Sequence, residues 1–214
     1  MKINNTLLFI EYVLIFFGVP LALFFTRNIL MPSLILYPVL ILIFVILHYN
    51  KSFTWHELIR WQISKYSLKF NLAIIVLSSL LLFISVIVFI PDKLLNLPRN
   101  NIAIWVRICI FYPIFSAYSQ EIIFRTFLFR RYRKLFSRPA YFILASGICF
   151  GFAHILYFNW ISVGLSMVLG FYLSSIYLKT KSVLFTTLIH SILGNFVFTI
   201  GLGEYFWLEM AKYF

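Results

Sequence analysis

The sequence predicts an all-α fold, a polytopic bundle of about seven helices crossing a membrane. Composition is the first reason. The chain has 214 residues, of which 63% are hydrophobic and 11% charged, whereas soluble domains lie near ~45–50% apolar and ~25% charged. Mean hydropathy is +0.97. The second reason is length: apolar runs able to cross a hydrocarbon core of about 30 Å recur along the whole chain. The third is what is missing, since no internal repeat, low-complexity tract or soluble domain interrupts them.

The first run, about 7–25, follows Lys2, carries Glu11 and lacks a small-x-small cleavage site, so it reads as a retained span. The second covers about 30–48 and is followed by the largest polar stretch, 49–69. Further runs at about 70–90, 103–124, 140–157, 160–178 and 183–202 complete seven. Pro91, Pro98 and Pro139 fall in the connections, where a missing N–H costs least. Without water to satisfy backbone polar groups, each run must be helical. The chain divides into N-terminal spans (1–102), a second group of spans (103–203) and a C-terminal tail (204–214).

The net charge is +12. Basic loops that set orientation explain it, so a lipid bilayer is the expected partner and nucleic acid is not. The N-terminus and even-numbered loops hold twelve of the eighteen Lys and Arg residues, the other side holds four, and Arg107 and Arg125 lie within spans. The expected topology therefore has a cytoplasmic N-terminus and an external C-terminus. Cys109 and Cys149 sit in apolar runs without metal-ligand spacing and read as small buried residues.

Ionisable groups near mid-membrane are expensive and mark function by default. They are Glu11, Arg107, Glu121, Arg125, His154 and His190. Glu11 and Arg107 lie near span ends, where snorkelling gives a structural reading. Glu121 and Arg125 are four apart on one helix face and can pair; Gln120 adds an amide beside them. Gly147 and Gly151 form a GxxxG face, and His154 follows three residues later, so its imidazole points into a helix interface. Gly194 leaves space one turn after His190. Asn195 lies about 140° from His190 around an ideal helix and shares its face only through a distortion such as a π-bulge.

Singly, each of these residues has a structural reading. Together, a carboxylate, two imidazoles and an amide can supply a general base and oxyanion donors, as water-mediated amide hydrolysis requires. Three are also potential zinc ligands. Their spread over three helices lacks the compact spacing of a zinc motif, so no metal and no other cofactor is expected, with zinc the alternative.

"QEIIFR", "FGFAH" and "HSILGN", in this order on successive apolar helices, resemble the CPBP family of CAAX-processing and bacteriocin-processing (Abi) intramembrane proteases. The family pattern is EExxxR, FxxxH and HxxxN or HxxxD, and the resemblance covers about 103–203. It implies an intramembrane endopeptidase acting on membrane-associated peptides or proteins. By motif position the implied catalytic residues are Glu121, His154, His190 and Asn195, supported by Gln120, Arg125 and Phe150. Glu121 would be the base, His154 its partner, and His190 with Asn195 the oxyanion donors, around a wet polar cavity opening to the cytoplasm.

Two departures matter. Gln120 stands where the family has its first glutamate, and Gly194 where it has the amide. The alternatives are a catalytically inactive scaffold or substrate-binding protein, and a transporter or bis-histidine haem carrier. The expected location is a bacterial cell membrane, with the N-terminus cytoplasmic.

Overall fold

The computed structural model describes the backbone of residues 4–26, 32–50, 53–63 and 65–206. Lys2, Arg27, Lys51, Lys212, the start of the second expected span and the last eight residues of the tail lie outside the described residues.

Among the described residues seven apolar helices form a bundle: α1 (Asn5–Phe25), α2 (Pro32–His48), α3 (Lys65–Phe89), α4 (Ile102–Tyr132), α5 (Pro139–Tyr157), α6 (Trp160–Thr180) and α7 (Val183–Ile200). No strand occurs among the described residues. Six are long and apolar enough to cross a membrane, and α2 is the shorter one. Its 17 residues reach about 26 Å at 1.5 Å per residue, slightly less than a hydrocarbon core.

α4 runs eight residues past the expected end at 124. Arg130 and Arg131 are therefore on its last turns and not in a loop. Acidic partners hold both there. Arg131 donates to both Glu11 oxygens at 2.8 and 2.6 Å, Tyr132 adds a bond to Glu11 at 2.9 Å, and Arg130 pairs with Glu57. Glu11 is thus a tether between α1 and α4 at the basic end of the bundle.

Helix interiors are irregular where proline demands it. Pro113 has no N–H for the carbonyl of Cys109, and α4 widens into a π-turn over Tyr112–Ala117. α1 widens likewise over Leu14–Gly18, just before Pro20. A further π-turn in α4 covers Ile122–Phe127. α7 is regular from Val183 to Ile200, so it holds no bulge that would turn Asn195 onto the His190 face.

The predicted GxxxG contact is present. α5 and α6 approach so closely that a Cβ on Gly151 would lie 2.6 Å from Met167 Cβ, and one on Gly170 would lie 2.9 Å from Gly147 Cα. In lipid such association comes from packing and interhelical hydrogen bonds, because leaving lipid gains little for an apolar side chain. The polar groups accordingly turn inward: Glu121, Arg125, Thr126, Ser146, Ser174 and Thr186 are buried. Many of the leucines, valines and isoleucines of α1–α3 face outward.

Candidate active site

The polar centre is built from α4, α5 and α7. Glu121 and Arg125 are fully buried, with Arg125 Nε 3.2 Å from Glu121 Oε2. This contact is Coulombic; its angles do not make a hydrogen bond, and Oε2, Nε and Nη2 have none among the described residues. The second guanidinium arm donates from Nη1 to Ser146 Oγ at 3.1 Å, and Ser146 in turn donates to the Phe124 carbonyl at 2.7 Å. The Phe150 ring lies 4.9 Å from the guanidinium carbon, a cation–π contact. Arg125 is therefore held by α5 as well as by α4.

Glu121 Oε1 accepts from His190 Nδ1 at 2.9 Å. In the neutral imidazole that bond sets the tautomer, with the proton on Nδ1 and the lone pair on Nε2. His154 is arranged the same way, because its Nδ1 meets the Phe150 carbonyl at 2.7 Å and a carbonyl can only accept. Phe150 separates the two rings, edge-to-face with His154 at 4.9 Å and with His190 at 5.4 Å. Both imidazoles thus carry an anchored Nδ1–H and an Nε2 without a hydrogen bond among the described residues.

Both also line a cavity of about 1140 Å³, together with Tyr112, Ser116, Gln120 and Gly194. Glu121 and Asn195 are not on its wall. The structure brings the predicted Glu121, Arg125, His190 and Phe150 into one contact network and sets His154 against it. It divides the neighbouring pair differently from the sequence reading: Gln120 faces the cavity, and Glu121 faces Arg125 and His190. Gln120 Nε2 donates to Ser116 Oγ at 2.8 Å, while Oε1 is buried without a partner among the described residues.

Asn195 points elsewhere. Its Nδ2 donates to the Cys109 carbonyl at 3.2 Å, the acceptor that Pro113 leaves without its helical N–H. The amide repairs the backbone of α4, since leaving a buried carbonyl unpaired costs about 1–3 kcal/mol. Beside His190 stands a residue the sequence reading missed. Tyr112 meets the His190 ring edge-to-face at 5.8 Å, and its hydroxyl occupies the space where a Gly194 Cβ would project. The signal was available: Tyr112, Ser116 and Gln120 recur at four-residue intervals, on one helix face next to a mid-span proline.

The cavity departs from expectation. Its wall is mostly apolar, with polar islands at these side chains and Arg107. It lies among the start of α4 and the ends of α5 and α7, the half of the bundle away from Arg130 and Arg131. A cytoplasmic basic edge and a cytoplasmic cavity exclude each other. As zinc ligands the predicted trio fits poorly, because Glu121 already turns one oxygen to His190 and the other to Arg125. Among the described residues no cluster of three His, Cys, Asp or Glu side chains forms.

No curated protein and no solved structure matches the chain. A family model does match, and it spans α4 through most of α7, including all three motifs. Residues 98–197 match the Rce1-like family, described as Type II CAAX prenyl endopeptidase Rce1-like, which bears out the resemblance to the CPBP proteases read from "QEIIFR", "FGFAH" and "HSILGN".

Proposed function

We propose that the chain is an intramembrane endopeptidase in which His190, not Glu121, takes the proton from water. The observation that carries this is the Glu121–His190 contact at 2.9 Å. A buried carboxylate on Nδ1 orients the ring and stabilises the imidazolium that forms when Nε2 accepts a proton, as in serine hydrolase triads. Glu121 acts through His190 and is a positioning residue. The loss of the family's first glutamate at Gln120 then does not remove the base.

The reaction follows from the wall groups. Water gives one proton to His190 Nε2 and its second O–H hydrogen-bonds to His154 Nε2. The hydroxide oxygen bonds to the scissile carbonyl carbon, and the resulting oxyanion accepts a hydrogen bond from the Tyr112 hydroxyl. Gln120 Oε1 accepts from a substrate N–H. As the C–N bond breaks, the imidazolium returns its proton to the leaving amine. No metal is needed for these steps.

The apolar cavity supports a membrane-embedded substrate, and the family description supports a prenylated CAAX peptide. Arg107 on the wall suits an anionic terminus. The test is cleavage of a farnesylated CAAX peptide by purified protein in liposomes. Wild type should cleave it, and His190→Ala and Glu121→Gln should each lose about 10³–10⁴ in rate per folded molecule. A wild type inactive on prenylated and unprenylated membrane peptides would make the chain an inactive scaffold, and full activity in His190→Ala would end its role as base.

The basic edge supports a cytoplasmic N-terminus in a bacterial cell membrane, which makes the cavity half extracytoplasmic. A cysteine at Ser137, in the α4–α5 connection, should be labelled from the cytoplasm, and one at Asn100 from outside. The reverse pattern would return the cavity to the cytoplasm.

A further inference from the structure

At the end of the bundle opposite the cavity, α4, the α6–α7 turn and the 53–63 loop enclose a second, smaller concavity of about 210 Å³. Four cations line it, Arg60, Arg130, Arg133 and Lys181, with one carboxylate, Glu57. Glu57 is used by Arg130, whose Nε donates to Oε2 at 2.9 Å and whose Nη2 pairs with Oε1. The Arg60 guanidinium donates to the neutral Gln62 amide at 2.6 Å. Arg133 and Lys181 make no ion pair among the described residues.

The walls are fixed. Lys181 caps α6 in a left-handed conformation, φ 51°, and its N–H donates to the Tyr177 carbonyl at 2.7 Å. Ser182 Oγ donates to the Arg60 carbonyl at 2.8 Å and accepts from the Gln62 N–H at 3.1 Å, clipping the loop to the turn. The Lys181 ammonium stands 3.5 Å from the Phe129 ring centre, and the Arg133 guanidinium 5.8 Å from the same ring. Burial, with Arg133 and Arg130 close by, pushes the Lys181 amine down to about 8. Four cations are thus crowded around one carboxylate, Glu57, and it is already engaged by Arg130.

We propose that this pocket binds a phosphate-bearing anion, and that the phosphodiester of an anionic lipid headgroup is its source in the membrane. An arginine and a lysine facing one concavity suit phosphate oxygens, the guanidinium by its fork and the ammonium as a point charge. The position agrees, because the last turn of α4 and the α6–α7 turn lie where basic pockets between helices meet headgroups. Lys181 is charged below about 8, so its contribution is present at lower pH and fades as pH rises through that value. Glu57, Arg60, Arg130, Arg133 and Tyr177 are the charged and titratable groups that face it.

The test uses the full chain in detergent, titrated with phosphatidylglycerol, phosphatidylcholine or inorganic phosphate while its thermal midpoint is followed by tryptophan fluorescence. Phosphatidylglycerol should raise the midpoint saturably and phosphatidylcholine much less. Arg133→Gln and Lys181→Gln should each weaken the apparent affinity about tenfold, with the lipid-free midpoint unchanged. Lys181→Arg should bind as wild type and lose the fall in affinity above pH 8. An equal, variant-sensitive response to inorganic phosphate would keep the site and make free phosphate its source. No saturable response to either, or a folded Arg133→Gln/Lys181→Gln protein that responds as wild type, would overturn the proposal.

Discussion

α3 and α4 are both apolar helices of membrane-spanning length, and they are built to opposite rules. Along α3, Leu72, Val76, Leu77, Leu80, Leu81 and Val88 are exposed, and among the described side chains the buried ones are Asn71 and Val86. Along α4 every residue from Glu121 to Leu128 is buried, the ion pair included. The more uniformly apolar helix is the peripheral one. In a bilayer, hydropathy decides which segments enter the membrane, and the scarce polar groups decide which face turns inward.

The largest test of this contrast is Arg125→Ala. It removes the cation from Glu121, the donor from Ser146 and the partner of the Phe150 ring at once. Stranding a buried carboxylate costs about 3–5 kcal/mol, so the variant should unfold at much lower denaturant in detergent. Stability within about 0.5 kcal/mol of wild type would mean that the α4 centre is wet and that burial there is not what orders the bundle.

The next test separates two residues on either side of the site. Tyr112→Phe keeps the ring against His190 and removes one hydroxyl, so it should cost about 10²–10³ in rate, as for one oxyanion donor, with little loss of stability. Asn195→Ala should do the reverse. It frees the Cys109 carbonyl, costs about 1–3 kcal/mol, and leaves the rate per folded molecule within about tenfold of wild type, a span of ~1.4 kcal/mol. Exchanged phenotypes would restore Asn195 as the oxyanion donor and reduce Tyr112 to packing.

Much of this was legible in the sequence. Helical spacing alone paired Glu121 with Arg125, and GxxxG predicted the close α5–α6 approach. Three motifs in order placed His154 and His190 in the polar centre. What escaped prediction depends on small rotations. An α-turn advances about 100° per residue, so π-turns at Tyr112–Ala117 and Ile122–Phe127 shift which side chains face the cavity. Residue counting could not tell that Gln120 would take the wall and Glu121 the interior. Nor could it assign the cavity to one half of the bundle, because that depends on where helix ends splay. The direction of Asn195 was hidden for a related reason: its partner is the Cys109 carbonyl, 86 positions earlier and released by Pro113, and a motif records side chains only.

The smallest expected effect falls on the other side of the comparison. Leu80 lies in the middle of α3 and is exposed. Were the chain surrounded by water, such a leucine would sit in an apolar patch far larger than monomers tolerate. In lipid it exchanges one apolar environment for another, in the folded and the membrane-inserted unfolded states alike. Leu80→Ala should therefore change stability by no more than about 0.5 kcal/mol, measured in the same detergent as Arg125→Ala. A loss of 2 kcal/mol or more, in the range of ~2–5 for a truncated core leucine, would show that this face of α3 is covered, and the peripheral reading of that helix would fail. Equal small losses at Leu77 and Leu81 would instead tie the outward face to lipid along its length.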